Sequence, residues 1–136
     1  MSWLVDSCVL IDIIDGDSVF SQASAEILDE YSDFGLEISP VTAIELSPAF
    51  LGEADREDTF LRDHGVSVSC RWDDMARRAA QSAWSRHIAA KRRGQAPKRP
   101  IADVLIGALA LRHDGLITRN PADFKVLFPS LRIETP

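Results

Sequence analysis

Five side chains with oxygen donors, Asp6, Glu45, Asp103, Asn120 and Asp123, stand where short apolar runs give way to new segments. Asp6 follows "WLV", Glu45 lies inside "SPVTAIEL", Asp103 opens "IADVLIGALA", and Asn120 and Asp123 follow "LIT" in "TRNPADF". Carboxylates gathered at one place would repel one another by about 4 kcal/mol per close pair at an effective dielectric of about 20. Shared protons, as in acid–base dyads, or a bound cation can relieve that repulsion. The three histidines, His64, His87 and His113, stand apart from the set, and oxygen-only donors favour a hard ion, Mg2+ or Mn2+, over zinc. Such an ion suits phosphodiester hydrolysis, where it activates water and stabilises charge on the attacking and leaving oxygens.

Taken singly, each acid has a plainer role. Asp6 could cap a helix. Asp103 and Asp123 could complement a helix dipole from a first turn. Glu45 could be an ordinary helix-face glutamate, although it interrupts the apolar pattern between Ile44 and Leu46. The joint placement carries the reading. Asp12, Asp15, Asp17 and the acids of "EADREDTF" are assigned to solvent.

The elements that must position these residues are short strands alternating with helices. "SWLV", "LEIS", "VSVSC", "LIT" and "LRIET" read as strands. Helical segments lie between them, the first closed by Gly16. Ser39 is placed to cap a helix with Pro40 at its first position, and Pro48 to kink or end it. The longest helix runs through "WDDMARRAAQSAWSRHIAAKRRG", with Trp72, Met75, Ala79, Ala83 and Trp84 expected to face inward. This alternation predicts one domain over residues 1–136, a three-layer α/β/α sandwich with a mainly parallel central sheet. In such a fold ligands bind beyond the carboxyl ends of the strands, where the five donors can converge.

The net charge of −6 alone argues against a nucleic-acid partner. The distribution argues otherwise. Of 15 Lys and Arg, eight fall between Arg77 and Arg99: Arg77, Arg78, Arg86, Lys91, Arg92, Arg93, Lys98 and Arg99. Lys91, Arg92, Arg93, Lys98 and Arg99 form a basic segment just before Asp103, which reads either as a charged solvated loop or as a hold on a phosphate backbone; Arg77 and Arg78 read better as a solvated helix face. Cys8 and Cys70 sit among apolar neighbours and read as packed, reduced thiols. The first residues lack the pattern of a secretory signal, and no apolar run has membrane-spanning length, so a cytoplasmic protein is expected.

On these residues the chain resembles the PIN-domain proteins, and among them the VapC-type toxins of toxin–antitoxin pairs. The likeness covers essentially the whole chain through four blocks in order: "LVDSCVLID", "SPVTAIELSPAF", "IADVLIGALA" and "TRNPADF". It implies an acidic core of Asp6, Glu45 and Asp103, completed by Asn120 and Asp123. Asp6, Asp103 and Asp123 would be the metal ligands, with Ser7 and Thr118 in support. It further implies a magnesium- or manganese-dependent endoribonuclease, usually a homodimer, restrained by a small antitoxin protein. Two positions depart from the pattern. Asn120 is an amide where many relatives carry Asp, and Cys8 stands where Asn or Ser is frequent. The first departure motivates an alternative, a catalytically weak PIN-like module that binds RNA or a protein. A phospho-acceptor receiver domain, also α/β, fits poorly, because no acid precedes the first strand.

Overall fold

A computed structural model describes residues 2–92, 94 and 100–136. Its strands are β1 (Trp3–Val5), β2 (Leu36–Ile38), β3 (Val66–Val68), β4 (Gly115–Ile117) and β5 (Ile133–Glu134). They form one sheet in the order β3-β2-β1-β4-β5, and every neighbouring pair is parallel. The helices are α1 (Ser7–Asp15), α2 (Ser21–Tyr31), α3 (Pro40–Leu46), α4 (Ala54–Asp63), α5 (Asp74–Arg92), α6 (Ile101–Ala110) and α7 (Pro121–Leu127).

Two cores, one on each side of the sheet, make the three layers. Successive strand side chains alternate faces, so β1 sends Leu4 to one core and Trp3 and Val5 to the other. Likewise β4 divides Leu116 from Ile117. Leu4 and Leu116 meet α5, α6 and α7 through Ala83, Ile106, Leu109 and Phe124. Val5 and Ile117 meet α1 to α4 through Val9, Leu10, Leu28, Leu46 and Leu61. The inner strands are apolar on both faces because helices cover both. Each fully buried Leu, Ile or Phe contributes roughly 2 kcal/mol of transfer free energy. Gly107 of α6 leaves the space that the Phe128 ring occupies; a Cβ there would collide with it.

Local signals act as the sequence indicates. Gly16 closes α1 in the left-handed region, at φ 59°, with its N–H on the carbonyls of Asp12 and Ile13. Ser39 caps α3, its Oγ accepting from the Val41 N–H at 3.0 Å, and Pro40 takes the first helical position. Pro48 cannot donate to a continuing α-helix, so α3 ends at Leu46 and a 3-10 turn covers Ser47–Phe50.

Four expectations are corrected. The longest helix starts at Asp74, leaving Trp72 before it, exposed, and Met75 on its outer side; Ala79, Ala83 and Trp84 do pack inward. Cys70 lies beyond the end of β3 and is exposed, not packed. Glu57 is buried on α4 rather than solvated, and that burial raises its carboxyl pKa. Asp12 is buried as well. Among the described residues no helix is long and apolar enough to cross a membrane.

Candidate active site

The strand order reverses direction between β1 and β4, and ligand sites of open parallel sheets form at such switch points. Val5 pairs with Ile117, so the next residues, Asp6 and Thr118, leave adjacent strands side by side. The Asp6 N–H donates to the Ile117 carbonyl at 2.9 Å. The Asp6 side chain, in a residue only 5% exposed, caps α1 through Oδ1, which accepts from the Ser7 N–H at 2.8 Å. Its Oδ2 accepts from the Thr118 hydroxyl at 2.7 Å and from the Cys8 thiol at 3.4 Å. Thr118 is fully buried; its Oγ1 accepts from the Asn120 N–H at 3.0 Å. The helix-cap reading of Asp6 holds through Oδ1, while Oδ2 turns to Thr118 and Cys8, and Ser7 occupies the first helical position instead of the cap.

Glu45 reaches the same place from α3. The residue is exposed as a whole, but partial desolvation of its carboxyl and then the Asp6 charge raise its pKa, and a hydrogen bond from Ser7 opposes the rise. Asp103 occupies the first turn of α6, half-buried, and α6 packs against α3. Because α6 runs back towards the start of β4, its first turn lies at the carboxyl edge of the sheet. Asn120 and Asp123 open α7, both exposed, and the Asn120 side chain makes no capping bond. Asp6, Ser7, Glu45 and Thr118 are thus linked through bonds and charge. The other three share their edge from the starts of two helices.

Among the described residues no Lys, Arg or His forms an ion pair with Asp6, Glu45 or Asp123. Nor does any group of three or more His, Cys, Asp or Glu there form a ready-made metal cage. The donor set fits an ion of another habit. Magnesium usually takes one or two carboxylates and keeps several waters, and Asp6 Oδ1, which accepts a single bond, retains a lone pair for such an ion.

Cys8 extends the site. Burial first, then the Asp6 charge, pushes its thiol up to about 11. It stays protonated and donates to Asp6, filling a place where a polar side chain was expected. Lys91 and Arg92 end α5, exposed, and α5 packs on α6, which carries Asp103. Arg93, Lys98 and Arg99, also expected to bind phosphates, lie outside the described residues.

Sequence reasoning missed one arrangement at this edge. Arg119, between Thr118 and Asn120, donates from Nε to Asp12 Oδ2 at 2.6 Å and from Nη2 to Oδ1 at 2.9 Å. The available signal was an arginine inside the "TRN" block together with an aspartate interrupting the apolar run "VLIDII".

The PIN domain family matches residues 3–127. In fold the chain is similar to the crystal structure of VapBC2 from Rickettsia felis bound to a DNA fragment from their promoter, at a TM-score of 0.63 and 16% identity. That match covers 100% of this chain and 99% of the other. No curated protein matches the chain in sequence.

Proposed function

The chain belongs to the PIN domain family, and from that premise we propose that it is a metal-dependent endoribonuclease, the toxin of a toxin–antitoxin pair. PIN domains are generally nucleases, and the VapBC2 likeness, one of fold, accords with this reading. The observation that carries it is the buried Asp6 carboxylate, set at the switch point beside Glu45 with no cationic partner among the described residues. A buried, unpaired charge is costly unless something neutralises it.

Asp6, Asp103 and Asp123 would hold Mg2+ or Mn2+. When bound, the ion supplies activation of a water and stabilisation of charge on the phosphodiester oxygens. The chain's own residues do the rest. Thr118 and the Ser7 N–H fix the Asp6 carboxylate in one orientation. Glu45, its pKa raised, is the carboxyl suited to take a proton from the attacking water. Asn120 offers an amide oxygen without adding charge. Lys91 and Arg92, with Arg93, Lys98 and Arg99, would hold the RNA backbone. The expected partners are RNA, a small antitoxin and a second copy of the chain, in the cytoplasm.

The test is RNA cleavage by purified protein with Mg2+ or Mn2+. Asp6→Asn and Asp103→Asn, still folded, should each lose at least about 100-fold, since even groups that only orient metal ligands are worth 10–100-fold. Induced expression in a bacterial host should arrest growth for wild type and not for Asp6→Asn. Equal cleavage by all three proteins would sink the reading. The neutral Asn120 favours a second one, a weakly catalytic module that binds RNA or a protein. Tight RNA affinity with no specific metal binding would select it.

A further inference from the structure

The Asp12–Arg119 pair ties the turn that carries Thr118 and Asn120 to both α1 and α2. Its two parallel N–H···O bonds form the fork geometry available to arginine and not to lysine. Ser24 of α2 donates a further bond to Asp12 Oδ2 at 3.1 Å. The guanidinium carbon lies 4.2 Å from the centre of the Phe20 ring. The Asp12 side chain is 4% exposed and that of Arg119 28%. On either side of Arg119 in sequence stand the residues that shape the site. Thr118 donates to Asp6 and accepts from the Asn120 N–H.

Helix α1 fixes the spacing of the two attachments. Asp6 at its cap receives Thr118, and Asp12, six residues on, receives Arg119. We propose that Arg119 is a positioning residue, and that its pair with Asp12 sets the Thr118–Asn120 turn so that the Thr118 hydroxyl and Asn120 face the Asp6 carboxylate. As a statement about catalysis this rests on the nuclease reading above; as a statement about geometry it does not. Arg119 touches no reacting atom in this scheme and acts through Thr118 and Asn120. A pair that served folding alone would leave that turn, once folded, as it is in the wild type.

Two variants of the full chain separate these cases. Asp12→Asn with Arg119→Met removes both charges together, so neither is left orphaned in the interior. Arg119→Lys keeps the charge and loses the fork. Hydrogen exchange of the Asn120 amide is read without metal or RNA, Mn2+ affinity is titrated, and kcat and KM are measured on RNA. In the folded double variant the Asn120 amide should exchange at least about tenfold faster, and Mn2+ should bind about tenfold more weakly. There kcat should fall about 10–100-fold with KM within about twofold, the signature of misplacement rather than lost binding. Arg119→Lys should fall between, and decides by the same readouts if the double variant does not fold. Wild-type Asn120 exchange and Mn2+ affinity in a folded variant would overturn the proposal. If wild type cleaves no RNA, the nuclease reading fails while exchange and Mn2+ binding still decide the positioning.

Discussion

Asp6 and Asp12 belong to the same short helix, one as its cap and the other inside it, and both are almost wholly buried. Their surroundings differ in kind. Asp12 receives a guanidinium on both oxygens and a hydroxyl besides. Asp6 receives a backbone N–H, a hydroxyl and a thiol, and its charged neighbour is another acid, Glu45. A buried carboxylate matched by a cation of the same chain is complete, and its worth is structural. One that is oriented by hydrogen bonds while its charge stays unmatched leaves that charge open to a cation from outside, as the proposed function requires. Burial alone does not separate the two; the sign of the neighbouring charge does.

Breaking the matched pair should produce the larger change in stability. Arg119→Met leaves the Asp12 charge buried with only Ser24 to satisfy it, and should cost about 3 kcal/mol, the low end for an orphaned buried ion because Arg119 is partly exposed. Asp6→Asn should change stability by no more than about 1 kcal/mol, because lost charge-assisted bonds are offset by relief of the repulsion with Glu45. Urea denaturation of both variants measures the contrast. Comparable losses would erase the distinction between the two acids.

That contrast also marks what could be read from the sequence. The strands were legible as short apolar runs between turn signals, and α3 from Ser39, Pro40 and Pro48, because these cues act over a few neighbouring residues. Asp6 was legible as a candidate site residue through its joint placement with Glu45, Asp103 and Asp123, which the parallel topology brings to one edge. Asp12 was not. Within "LIDIIDG" it is indistinguishable from Asp15, and its partner lies 107 positions away along the chain. Trp72 misled for a different reason. An apolar residue at helical spacing suggests an inward face only if the helix has begun, and Asp73, whose Oδ1 accepts from the Ala76 N–H at 2.9 Å, starts it later.

A cation sharpens the comparison from the other side. Mg2+ or Mn2+ at about ten times its dissociation constant should stabilise the wild type by about 1.4 kcal/mol. Asp12→Asn, binding the cation about tenfold more weakly once its turn is unpinned, should keep a reduced response of about 0.4 kcal/mol, and Asp6→Asn should lose it altogether. The effect should fade on acidification, and the sign follows from Glu45. Its folded pKa lies above the ordinary 4.5, so the folded state binds the proton more tightly than the unfolded one. Protonation therefore favours folding as pH falls from above that raised value towards 4.5, and it removes the charge that the cation would meet. Thermal unfolding with and without Mn2+ at neutral and mildly acid pH tests both parts. Stabilisation of Asp6→Asn equal to that of wild type would move the ion elsewhere.

The smallest expected effect lies at Cys8, whose thiol reports on the charge of its neighbour. Held up at about 11, it is roughly one part in a thousand thiolate at pH 8, so a maleimide should label exposed Cys70 well before Cys8. Burial is the larger cause of the rise and Asp6 the second. Asp6→Asn should therefore speed Cys8 labelling by a few-fold, with burial still holding it slow. Asp12→Asn should change it less, because that carboxylate answers to Arg119. Mass spectrometry of the labelled peptides resolves the two cysteines in one experiment. Equal acceleration in both variants would show that Cys8 senses a loosening of α1 and not the unmatched charge at its cap.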